Sequence, residues 1–129
     1  MSMLEIKESQ CNNAIKWIEA LLSGEYKQSK SGVLGNAEMG FCCWGLGCHV
    51  VGTEFDYTRL WNWEFSHDVG FNRVSGRVHT EYRGEDMLSE INDKTKATFQ
   101  DIGHMLIDTA HENFASHVAV GITKHFKSR

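Results

Sequence analysis

Cys11, Ala14, Ile15, Ile18, Leu21 and Leu22 recur at three- and four-residue spacing, so residues 9–23 predict an amphipathic helix. Trp17 flanks that stripe, while Asn12, Lys16 and Glu19 fall on the water side; Gly24, after the last apolar pair, is its stop. Residues 25–40 hold Gly32, Gly35 and Gly40 among serines and lysines and predict a loop, anchored by Tyr26 and Leu34. Residues 41–51, FCCWGLGCHVV, are the most apolar run in the chain. Wound as a helix, they set Phe41, Trp44, Cys48 and Val51 on one face, with Cys42, Leu46 and Val50 beside them. Gly45 and Gly47 each weaken such a helix by roughly 1 kcal/mol relative to alanine, and in return let another element approach closely. The run is expected to be the buried helix around which the rest packs.

The period then changes to two. Trp61, Trp63 and Phe65 alternate with Asn62 and Glu64, which predicts a strand. The stretch RVSGRV at residues 73–78 reads as a hairpin turn on Ser75 and Gly76, and Val78, Thr80 and Tyr82 continue an alternating strand. Residues 68–70 supply another turn. Helical spacing returns with Met87, Leu88 and Ile91, in a short helix ending near Asn92 and Asp93. Thr98 with Asp101 forms a capping-box pattern that opens a longer helix, whose buried face is Phe99, Ile102, Leu106, Ala110 and Phe114. The fold class is therefore α+β, in one globular domain over residues 1–129. Two or three helices pack around the Cys-rich helix with a short antiparallel sheet, and the ends, residues 1–8 and 122–129, fray.

Composition narrows the functions open to this fold. With 129 residues, 41% of them apolar, the chain can bury one modest core. A net charge of -4 with scattered Lys and Arg argues against binding bare nucleic-acid backbone, which wants a concentrated basic face. No run nears the roughly 18 apolar residues of a membrane span, and the first ten residues lack the basic region and apolar core of a signal peptide. No membrane association and a cytoplasmic location follow as expectations, with the four cysteines as thiols.

Four groups carry candidate chemistry. Cys42, Cys43, Cys48 and His49 hold zinc-binding residue types, but their spacing lacks the paired two-residue knuckles of structural zinc sites, which favours tight packing instead. His104, Asp108 and His111 share one face if they lie on one helix, and could serve a metal-dependent hydrolase; the plainer reading is a solvated polar face. In the middle, Tyr57, Trp61, Trp63, Phe65 and Phe71 lie among Arg59, Arg73, Arg77 and Arg83. Aromatic faces beside guanidinium forks suit a stacked base with its phosphate, or a protein hot spot; the plainer reading is the core face of a sheet. Within this region Trp61, Trp63, Arg73, Arg77 and Tyr82 are the expected ligand-binding residues. The loop residues Tyr26, Lys27 and Gln28, followed by Lys30 and Ser31, form a second candidate ligand surface, without the spacing of a phosphate-binding loop.

Three blocks together resemble a recurrent group of small, largely uncharacterised proteins encoded by bacteriophages and prophages. They are WIEAL at residues 17–21 running into SGEYKQ at 23–28, FCCWGLGC at 41–48, and LSEIND at 88–93 followed by TFQDI at 98–102. The resemblance spans both ends of the chain and skips the tryptophan-rich middle. Trp44 stands where the group usually has an aliphatic residue, and His49 where an acidic one is common. It implies a cytoplasmic accessory protein of mixed helix and strand with no enzymatic activity. The expected function is thus a cofactor-free binding protein that engages a host protein or a small, for example cyclic, nucleotide, in counter-defence or a related role. A homo-oligomer remains among the options. The alternative is the metal-dependent hydrolase built on His104, Asp108 and His111.

Overall fold

The computed structural model describes residues 2–59, 62–72, 77–80 and 84–127, and residues 77, 79, 80 and 84–86 through the backbone alone. Helix α1 (Met3–Ser23) starts earlier than its apolar stripe, because Ser2 and Glu5 form a capping box. The Ser2 hydroxyl accepts from the Glu5 N–H at 3.2 Å, while the Glu5 carboxylate accepts from the Ser2 backbone. Gly24, at φ 74°, ends the helix as its sequence position predicts. Trp17 is not at the edge of the buried stripe but at its centre. It is fully buried, its indole N–H donates to the Cys43 carbonyl at 2.9 Å, and its ring meets Trp44 and Phe65 edge-on at 5.6 and 4.9 Å.

The loop after α1 contains a small antiparallel pair, β1 (Gly35–Asn36) and β2 (Gly40–Phe41). This explains why α2 (Cys43–Val51) begins two residues later than residue 41. The Phe41 N–H already donates to the Lys27 carbonyl at 2.9 Å, and its own carbonyl accepts from Ser29 at 2.7 Å, so Phe41 is held extended. Cys42 becomes the N-cap, its sulfur accepting from the Gly45 N–H at 3.3 Å. Every residue from Cys43 to Cys48 is buried, so the first six residues of α2 are enclosed on all sides rather than on one face, and only its last turn, from His49, reaches the surface. The two glycines make this possible. A Cβ on Gly45 would land on the Leu34 carbonyl, and one on Gly47 on the ring of Phe65.

The expected strand through Trp61, Trp63 and Phe65 is not what forms, and Trp61 itself lies outside the described residues. Residues Trp63–Asp68 are helix α3. Asn62 caps it by accepting from the Phe65 N–H at 3.0 Å, and α1 finishes its far end, where Gln10 and Asn13 donate to the carbonyls of His67 and Asp68 at 2.7 and 2.9 Å. A two-turn helix is unstable alone; caps at both ends and the burial of Phe65 offset the cost of nucleating it. The turn expected at residues 68–70 follows directly, with Gly70 at φ 66°.

Strands β3 (Arg77–Thr80) and β4 (Gly84–Met87) pair antiparallel in the register Val78 to Asp86, with Val78 buried. The turn expected on Ser75 and Gly76 falls outside the described residues, as do Arg73, Tyr82 and Arg83. Helices α4 (Leu88–Lys94), α5 (Phe99–Asp108), α6 (Ala110–Asn113) and α7 (Ser116–Lys127) complete the chain. Thr98 and Asp101 cap α5 reciprocally, as their spacing predicts, at 3.1 and 3.0 Å. Where fraying was expected, the chain is helical from Met3 and again through Lys127, and Ile122 is fully buried. Helix α1 packs against α2, α5 and α7 at once, giving an α+β domain whose centre is the Trp17–Trp44–Phe65 cluster.

A candidate docking groove beside helix α3

Two places gather polar and aromatic residues, and they do different things. The first is Asn92, fully buried in the last turns of α4. Its Oδ1 accepts from the Gln28 side chain at 2.9 Å and from the Cys43 N–H at 3.1 Å; its Nδ2 donates to the Ser29 carbonyl and to Asp93 Oδ1, both at 2.8 Å. Lys30 adds to the same joint. Its ammonium donates to the carbonyls of Asn92, Thr95 and Ala97, which finishes the C-terminus of α4 with a positive charge. Residues 17–28, 41–48 and 88–93 thus meet at one buried amide. Gln28, expected as a ligand-binding residue, spends its amide donor on Asn92 and the Ala97 carbonyl. Tyr26 is half-buried edge-on to His49 at 6.2 Å, and Lys27 is exposed with its carbonyl paired to Phe41. This loop fastens the fold. No signal in the sequence singles out Asn92, a lone amide in a polar helix end.

The thiols belong to the same packed region. Burial pushes Cys42 up to about 11 and Cys48 up to about 12, and lifts Cys43 well above the ordinary thiol value. His49 is exposed and stacked at 4.9 Å on Phe41. The other expected metal face is divided by the fold. Thr109 turns its hydroxyl back to the Met105 carbonyl at 2.7 Å, α5 stops at Asp108, and His111 sits on α6 rather than on the helix of His104. Asp108 lies 3.9 Å from Lys127. Among the described residues, no three His, Cys, Asp or Glu side chains converge as a metal site would need.

Two measurements follow from the thiols. Cys42, Cys43 and Cys48 should label with a thiol reagent only at the rate of unfolding, whereas half-buried Cys11 labels faster. Their raised values also set a pH dependence. Above the ordinary value of 9 the unfolded chain loses thiol protons that the folded chain retains, so stability falls as pH rises from 9 towards 11–12. Urea titrations should show this alkaline loss, by up to about 1.4 kcal/mol per pH unit for each thiol, and a shallower slope in Cys48→Ala.

The second place is an open groove of about 660 Å³ between residues 53–59 and α3, lined by Glu54, Phe55, Asp56, Arg59, Asn62, Trp63 and Glu64. Both walls are anchored. The carbonyls of Tyr57 and Arg59 accept from Gly35 and Leu34 at 3.0 and 2.8 Å, which ties the loop to β1. Asn62 reaches the Glu54 carbonyl at 3.0 Å and gives its own carbonyl to the indole N–H of buried Trp44 at 2.7 Å. Thr53 further ties the loop to the end of α3, its hydroxyl donating to Asp68 at 2.6 Å. On this fixed frame Trp63 is 64% exposed and nearby Tyr57 49% exposed. Thr58 donates to Asp56 from its hydroxyl at 2.6 Å and its N–H at 3.0 Å, holding that carboxyl below its ordinary value, with a smaller contribution from Arg59 at 3.9 Å.

Of the residues expected to bind a ligand, Trp63 alone is placed in this groove. Trp61, Arg73 and Tyr82 are outside the described residues, Arg77 is described as β3 backbone, and Tyr26, Lys27 and Gln28 lie at the α4 joint. The residues that sequence reasoning missed are Glu54, Asp56 and Glu64, acidic positions that no spacing pattern connects.

The geometry defines a small α+β domain with an open, aromatic-edged groove. Residues 9–69, just under half the chain and spanning α1 to α3, are similar to a family described as a domain of unknown function, DUF8296. No curated protein and no solved structure matches the chain. No helix among the described residues is long and apolar enough to cross a membrane.

Proposed function

We propose that the protein is a non-enzymatic accessory protein of phage type, working in the host cytoplasm, that docks a host protein in the groove beside α3. The observation that carries this reading is Trp63, a large aromatic left mostly exposed on the rim of a cavity whose walls are pinned to the core. Tryptophan is among the residues that dominate protein interfaces, and a pre-ordered groove loses little entropy on binding. Charge favours a protein over a nucleotide, because among the described residues Glu54, Asp56 and Glu64 outnumber Arg59 there and repel phosphate. The hydrolase alternative loses its support with the separation of His111 from His104.

The test is capture from a host lysate by the wild-type protein and by Trp63→Ala. The variant should lose the captured partner while its melting temperature stays within about 2 °C of wild type, since the side chain is exposed. Equal capture by both proteins would place the docking surface elsewhere.

A further inference from the structure

The groove has a chemical preference that follows from what lines it. Among the described residues, Glu54, Asp56 and Glu64 line it together with Arg59, and Trp63, 64% exposed, lies on its rim. An indole face attracts a cation through its quadrupole, and nearby carboxylates accept the hydrogen bonds that a guanidinium or ammonium must place. The backbone frame is pre-ordered: Asn62 links the Glu54 carbonyl to the first turn of α3, so the segments that carry these side chains are held together before any ligand arrives. The groove is open to solvent rather than enclosed, as a site for a chain segment needs to be. We infer that the occupant is an arginine- or lysine-bearing extended segment of the partner protein, its cationic side chain lying over Trp63 between Glu54 and Glu64. This rests on the docking role proposed for the same groove.

The experiment is a titration of the ¹⁵N-labelled protein, following the Trp63 indole and the amides of Glu54, Asp56 and Glu64. The probes are the blocked peptide Gly-Arg-Gly-Arg-Gly, its glutamate counterpart, and adenosine monophosphate. The arginine peptide should shift these resonances saturably, more weakly at high salt, and the other two should not. Trp63→Ala, Glu54→Lys and Glu64→Lys should each weaken the arginine peptide by roughly fivefold or more, with the remaining spectrum unchanged. If Trp63→Ala abolishes binding but the two charge reversals leave it intact, the groove still docks a partner and the cationic preference is overturned. Occupation of the groove by the acidic peptide or the nucleotide overturns that preference in the same way. If no probe moves the groove resonances, the cationic segment is ruled out, while Trp63-dependent capture from lysate would still uphold docking.

Discussion

Asn92→Leu should be the most damaging single substitution outside the aromatic core, lowering stability by about 3–5 kcal/mol. Leucine keeps asparagine's branching but is larger, so the substitution leaves no cavity. The loss comes from four partners deprived of this amide: the buried Cys43 N–H, and the half-buried Gln28 side chain, Ser29 carbonyl and Asp93 carboxylate. Each buried polar group left unpaired costs on the order of 1–3 kcal/mol, and local relaxation that admits water keeps the sum below the total. Denaturant unfolding measures the effect. A double-mutant cycle with Gln28→Met should give a coupling of roughly 0.5–3 kcal/mol, because the second change removes one stranded donor. A cost under about 1 kcal/mol would mean that the joint between the 25–31 loop, α2 and α4 contributes little to holding the fold.

Gly45→Ala should have the next largest effect. The added methyl is small, but it meets the Leu34 carbonyl, and that is backbone rather than a side chain able to rotate away. The same carbonyl accepts the Cys42 N–H at 3.0 Å, and Leu34 donates to Arg59, so moving it disturbs β1 and the groove loop together. Overpacking of this kind costs about 1–3 kcal/mol, a fall in melting temperature on the order of 4–12 °C for a domain of this size. Gly47→Ala meets a side chain, the ring of Phe65, which can shift within the aromatic cluster. It should therefore be the milder of the two. Comparing their melting curves tests whether α2 is held from the β1 side by backbone contact, and groove-resonance shifts in Gly45→Ala would report the link to the binding surface.

Much of the architecture was legible in local signals. The stripe from Cys11 to Leu22, the stop at Gly24, the reciprocal Thr98–Asp101 cap and the buried face from Phe99 to Leu106 depend on residues within a few turns of one another, so spacing alone determined them; the continuation of that helix to Phe114 was not borne out, because α5 ends at Asp108. The burial of the Cys-rich run was equally determined, because a stretch that apolar has nowhere else to go.

Tertiary structure decided the rest, and in each case a partner distant in sequence was the reason. Trp63 to Phe65 has the period of a strand, yet caps from Asn62, Gln10 and Asn13 make it a helix, turning Phe65 inward and leaving Trp63 on the rim. At Thr109, whose N–H and hydroxyl both turn back to the Met105 carbonyl, α5 gives way to α6, so His104 and His111 lie on different helices. Gln28 looked like a loop residue awaiting a ligand until Asn92, 64 positions on, supplied its partner. The acidic lining of the groove joins positions on a loop and a helix that the Thr53, β1 and Asn62 hydrogen bonds bring together. A periodic pattern reports which side of an element is apolar; it carries no information about which distant backbone carbonyl or amide will satisfy its ends, and those pairings placed the groove.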